Sequence, residues 1–199
     1  PRDLLTLPRA QSSRQTGQSV VALNRQQTAI VYGFPGMNRS APERYAFDLL
    51  ASVVSGRGGR FFDAIRDKQG WADTVRTTNI ANARGGAFYT YVAVSPEKES
   101  DLRAALDAEH AKLRTDGVGS DELEDAVQFA VGVQSASLQT RGARVLEYAR
   151  AVFSGAGVQS VARYETAIRA VSAEQLKSLI QRYLAAEAVK VGVVRGRAR

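Results

Sequence analysis

The chain contains no cysteine and a single histidine, His110. Without cysteine there is no disulfide, no thiolate metal site and no thiol nucleophile. With one histidine, no His pair exists to hold zinc in His-Glu-x-x-His spacing or its inverse, and any Ser-His-Asp triad would have to use His110. No Gly-x-Ser-x-Gly elbow places a nucleophile. No apolar run approaches the ~20 residues needed to cross a bilayer, and no secretory signal is visible. The chain begins at Pro1, and its sole methionine is Met37. It therefore reads as a piece of a longer polypeptide, and the compartment stays open between cytoplasm and periplasm.

What is present suits one sizeable domain: 199 residues, 44% of them hydrophobic. Basic residues exceed acidic ones by 27 to 20, for a net charge of +7. The surplus is mostly arginine, scattered singly from Arg2 to Arg199. Without clusters or aromatic-basic interleaving it reads as a solvated surface of a chain from a GC-rich genome, not as a nucleic-acid site.

Periodicity gives the order of elements. Residues 1–18 are polar and aperiodic, as in a linker or extended arm. Ser19–Leu23 and Thr28–Phe34 are short and β-branched, and Pro35-Gly36 closes the second. Tyr45, Leu49, Leu50 and Val53 recur at helical spacing after Pro42, up to Gly56. A short helix is expected over Arg60–Lys68, with Phe61, Phe62 and Ile65 inward. Trp71–Ile80 and Gly86–Ser95 form a strand pair; apolar residues on both faces predict a sheet covered in part on each side.

From Pro96 the period becomes helical. Leu102, Leu106 and Leu113 mark one helix, with His110 at the edge of its stripe, a position that suits a structural or surface histidine. A long helix is expected from Ser120 as N-cap, its first turn rich in carboxylates. Further helices are expected over Arg141–Phe153, Val158–Ala170 and after a Ser172 cap, followed by a closing strand at Val189–Val194. Paired strands and blocks of helices make an α+β layered domain, with a mainly antiparallel sheet packed against a block of helices, over residues 19–196; residues 197–199 are a basic tail. Gly56-Arg57-Gly58-Gly59 lacks the Lys-Ser/Thr and preceding strand of a phosphate loop.

The run Ser55-Gly56-Arg57-Gly58-Gly59-Arg60-Phe61-Phe62-Asp63-Ala64-Ile65-Arg66-Asp67-Lys68-Gln69-Gly70-Trp71-Ala72 closely resembles a segment of the insulinase/pitrilysin metallopeptidases. Their members typically read Gly-Gly-x-x-Ser-Arg-Leu-Phe-x-x-Leu-Arg-Glu-Lys-x-Gly-Leu-Ala-Tyr-x-Val. Tyr32–Gly36, Ala41–Ala46, Gly117–Leu123, Ala170–Leu176 and Val189–Gly196 resemble further segments in the same order. The chain is similar to the zinc-free, inactive C-terminal domain of a bacterial zinc protease.

That resemblance implies a domain with no cofactor of its own. Zinc is expected in a partner domain, on the same chain or a second one, with a peptide as substrate. A homo- or heterodimer stays open. The domain would close the chamber and help to bind peptide. The alternative is a structural or assembly domain with the same fold. In the family an Arg and a Tyr seven residues apart contact substrate near the scissile bond. Arg66 stands at the Arg position and Asp73 at the Tyr position. A tyrosine hydroxyl donates to a developing oxyanion, whereas an ionised aspartate repels it.

Overall fold

The computed structural model describes residues 16–55, 59–67 and 70–197. Most of the expected arm, most of the Gly56–Gly59 run and the last two residues of the basic tail lie outside them. The strands are β1 (Gly17–Ala22), β2 (Thr28–Gly36), β3 (Ala72–Ala81), β4 (Gly86–Val94) and β5 (Lys190–Arg195). The helices are α1 (Arg44–Ser55), α2 (Arg60–Phe62), α3 (Glu99–Asp116), α4 (Ser120–Ser137), α5 (Arg141–Phe153), α6 (Gln159–Ala162), α7 (Tyr164–Arg169) and α8 (Ala173–Tyr183).

One mixed sheet runs in the order β1-β5-β2-β4-β3. Only β1 and β5 are parallel; the other pairs are antiparallel. The α+β class with a mainly antiparallel sheet is therefore the observed one. β1 and β2 are consecutive but not neighbours, because β5 returns from the far end of the chain to lie between them. A parallel pair needs a long crossover, and helices α1–α8 lie within it.

Along β2, Thr28, Ile30, Tyr32 and Phe34 are buried while the residues between are only partly covered. Phe88, Thr90 and Val92 of β4 and Val191 and Val193 of β5 continue this buried face. Helix α1 lays Phe47, Leu49, Leu50 and Val54 on it, all fully buried, and α3 adds Leu102, Leu106 and Leu113. Each such side chain contributes about 1.5–3 kcal/mol relative to exposure. On the second face, Tyr89 and Tyr91 are half-buried and Ala93 is buried.

Several local expectations shift. The helix expected at Arg60–Lys68 is α-helical only to Phe62, then widens into a π-helical turn over Asp63–Asp67. Phe61 and Ile65 are buried, but Phe62 is only half so. Ser120 is the first residue of α4, and its cap is Gly119. The Gly119 N–H donates to the Glu122 carboxylate at 3.4 Å, which is the carboxylate half of a capping box; the glycine has no side chain to supply the other half. The helix expected over Val158–Ala170 breaks at Arg163 into α6 and α7. Ser172 does cap α8: its hydroxyl accepts from the Gln175 N–H at 3.2 Å, and the Gln175 side chain accepts from the Ser172 N–H at 2.9 Å.

Candidate functional site

Arg66 lies in the π-helical turn that feeds β3, and Asp73 lies one residue into β3. The β3–β4 ladder slips between Ala72, opposite Val94, and Thr74, opposite Ala93, so Asp73 is the extra residue of a bulge. Both backbone positions thus fall at irregular winding beside one end of β3. π-turns and bulges are ways of re-aiming side chains, and both are frequent at functional sites. The side chains of Arg66 and Asp73 themselves lie outside the described residues.

His110 is not at the edge of its stripe. It is 3% exposed and enclosed by three rings. Tyr32 stacks on it at 5.9 Å, Phe34 lies at 5.1 Å and Phe61 meets it edge-on at 4.8 Å. Neither ring nitrogen has a hydrogen-bond partner among the described residues. Desolvation, aided by the Arg114 charge, pushes the imidazole down from 6.5 to about 3. Its task is to fill the core as a neutral aromatic.

The open sheet face carries a different surface. In register, Arg76 of β3 sits opposite Tyr91 of β4, Tyr91 opposite Val31 of β2, and Val31 opposite Gly192 of β5. The next row is Thr78, Tyr89, Gly33 and Lys190. Two tyrosines therefore stand beside two glycines, Gly33 and Gly192. A side chain at Gly192 would meet nothing within 4 Å. The glycines leave a shallow floor next to the aromatic pair, and the edge strand β3 bounds it.

On the helical side, α5 presents an unusual stripe. Val145, Leu146, Val152 and Phe153 fall on one face and are 51–86% exposed, Phe153 the most. So much exposed apolar area on one helix is a mark of an interaction surface. A periodic helix was legible here, but its solvent-facing orientation was not.

A polar cleft that no spacing argument identified lies between α1, β3 and α4–α7. Asn79 donates its amide to the Asp48 carboxylate at 2.8 Å. Arg44, buried under α1, donates to the Tyr45 hydroxyl at 2.8 Å and stacks over its ring at 4.1 Å. Arg39 pairs with Glu147 of α5. Burial raises the Asp48 carboxyl above the usual carboxylate range, against the opposing pull of Asn79, Arg44 and Arg39. Burial and the Asp48 charge likewise raise the Tyr164 hydroxyl. Among the described residues, no group of three His, Cys, Asp or Glu side chains gathers as metal ligands would.

Comparison with known proteins agrees with the fold. A protein of Rickettsia felis described as an uncharacterized zinc protease is 31% identical over 109 residues, 54% of this chain and 26% of that one. A Streptomyces coelicolor protein described in the same terms is 25% identical over 105 residues, 52% of this chain and 23% of its own length. This chain thus spans about a quarter of the length of the curated relatives it matches. A crystal structure of a peptidase M16 inactive domain from Pseudomonas fluorescens superposes with a TM-score of 0.81 at 16% identity, covering 92% of this chain and 44% of that one. The profile of the peptidase M16 inactive domain matches residues 3–129, well over half of the sequence, and the chain belongs to that family.

Proposed function

We propose that this chain is the non-catalytic domain of a zinc metallopeptidase, closing the chamber and helping to hold peptide substrate for a zinc-bearing partner domain. The observation that carries the reading is membership of the inactive-domain family in a sequence with one histidine and no cysteine. His110 is committed to an aromatic core. The open sheet face supports a substrate role: Tyr89 and Tyr91 beside Gly33 and Gly192 offer an extended peptide an aromatic rail with backbone room. The exposed α5 stripe supports a partner domain, since a lone domain gains nothing from keeping Phe153 in water.

Arg66 would act by placing its guanidinium on a substrate carbonyl near the scissile bond, a bond that forms without any metal in this domain. Asp73 cannot donate as the family tyrosine does while it is ionised. That departure favours the second reading, a structural or assembly domain with no part in proteolysis. The two are separated by peptide hydrolysis in the assembled protein, zinc-bearing domain included. Under the first reading, Arg66→Ala and Tyr91→Ser raise KM several-fold and leave the partner's zinc content unchanged. Unchanged kinetics in both variants would leave only the assembly role.

A further inference from the structure

Strand β1 is the outer strand at one end of the sheet, and all six of its residues, Gly17–Ala22, are exposed. Its register against β5 is unbroken. It carries no charge, no proline and no bulge, the devices that keep sheet edges from pairing. The other edge, β3, has two of them: the bulge at Asp73 and the exposed Arg76. One edge of the sheet is protected, and the other is left able to pair.

Hydrogen bonding fixes which backbone groups β1 offers. The Gly17 N–H donates to the Val189 carbonyl at 3.2 Å, and the Leu23 N–H donates to the Arg195 carbonyl at 2.9 Å. Backbone groups alternate sides along a strand, so Ser19 and Val21 also face β5. Gln18, Val20 and Ala22 therefore turn their N–H and C=O groups outward.

A second β1, antiparallel about a two-fold axis at Val20, meets all three. Val20 then stands opposite Val20 of the second copy, and Gln18 stands opposite its Ala22. At each of these positions both residues turn their backbone groups toward each other, which gives about six hydrogen bonds. A slip of one residue would set outward groups against inward ones.

The side chains agree with that register. Val75, Val92, Ile30, Val193 and Val20 form one row across β3, β4, β2, β5 and β1. The first four are at most 7% exposed, whereas Val20 is 40% exposed. The core row thus ends on an uncovered valine, and a second Val20 continues it into the other copy. Ser19 would lie beside Val21 of the second copy. No like charges meet, as a two-fold contact between identical strands requires.

We propose that β1 pairs with β1 of a second copy of this chain, antiparallel about Val20, joining two five-stranded sheets into one continuous sheet. The contact uses neither the tyrosine–glycine face nor the α5 stripe, so it stands or falls apart from any role in proteolysis.

A single strand pair buries less than a standard interface, so the dimer should be weak, with a Kd of about 100 μM. Sedimentation equilibrium of the 199-residue chain from about 10 μM to about 1 mM tests it. Val20→Lys sets two ammonium groups against each other at the axis, and Val20→Pro removes a donor that β5 does not use. Each should weaken the dimer at least about tenfold, and Val20→Lys should melt like wild type. Val20→Thr and Phe153→Ser should associate as wild type does. The chain has no cysteine, so Val20→Cys adds a readout that needs no destabilising change. Facing residues of an antiparallel pair lie within disulfide reach, and Val20→Cys should cross-link in oxidised glutathione much faster than Ile80→Cys on β3. The proposal is overturned if wild type stays monomeric at about 1 mM, if Val20→Lys and Val20→Pro associate like wild type, if Phe153→Ser alone abolishes the dimer, or if the two cysteine variants cross-link equally fast.

Discussion

The buried histidine offers the most quantitative test of the core. In the folded chain His110 is held down at about 3, against 6.5 when free in the unfolded chain. Below the free value the unfolded chain takes up a proton that the folded one refuses, so stability falls as the pH is lowered through that window. The stabilisation is complete above 6.5 and is lost progressively towards 3. With a 1.36 kcal/mol penalty per pH unit, moving from about pH 7 to about pH 5 costs about 2 kcal/mol. Asp48 acts in the opposite sense, because burial raises its carboxyl and the folded chain takes that proton first. The comparison must therefore be differential. His110→Phe keeps an aromatic ring among Tyr32, Phe34 and Phe61 and deletes the titration, while Asp48 is common to both proteins. Some repacking cost, about 1 kcal/mol, is expected at neutral pH. Urea unfolding of both proteins at neutral pH and near pH 5 should show the wild type losing about 2 kcal/mol more than the variant. Parallel losses, or an NMR titration placing His110 near its free value, would refute the burial argument.

Two further substitutions probe the sheet and the helical surface. A Cβ on Gly86 would lie 2.2 Å from the Ile80 carbonyl oxygen and 2.3 Å from that of Met37, both backbone atoms that cannot swing aside. Gly86→Ala should therefore destabilise by about 3 kcal/mol in chemical denaturation, whereas Gly119→Ala, with nothing within 4 Å, should cost far less. On α5, Phe153→Ser removes a side chain that is 86% exposed and should change the stability of the isolated domain by no more than about 0.5 kcal/mol. The same change should weaken its association with a zinc-bearing partner, measured by sedimentation. Equal association of variant and wild type would mean that the stripe faces water in the assembled protein.

Local signals in the chain were legible where a residue acts on its sequence neighbours. The span of α5, the Ser172 cap and the β3–β4 pairing follow from periodicity and turn chemistry alone. The insertion of β5 between β1 and β2 was not, because pairing across more than 150 residues leaves no local trace. His110 shows a different failure. It lies four residues after Leu106 and three before Leu113, squarely on the buried stripe, but its polarity argued for the edge. The cage of Tyr32, Phe34 and Phe61 that makes it a core residue comes from β2 and α2, far away in sequence. The same holds for the polar cleft: Arg39, Asp48, Asn79, Glu147 and Tyr164 meet only through the tertiary fold. Arg66 and Asp73 stood out by resemblance, and the irregular winding at both positions gives that choice a backbone context.

Metal chemistry is proposed above to belong to another domain. This is tested most directly by elemental analysis of the purified 199-residue chain after dialysis against zinc-containing buffer, with peptide hydrolysis measured on the same sample. The sample should hold far less than one zinc per chain and show no turnover until a zinc-bearing partner domain is added. One tightly held zinc per chain, or hydrolysis by this chain alone, would contradict it.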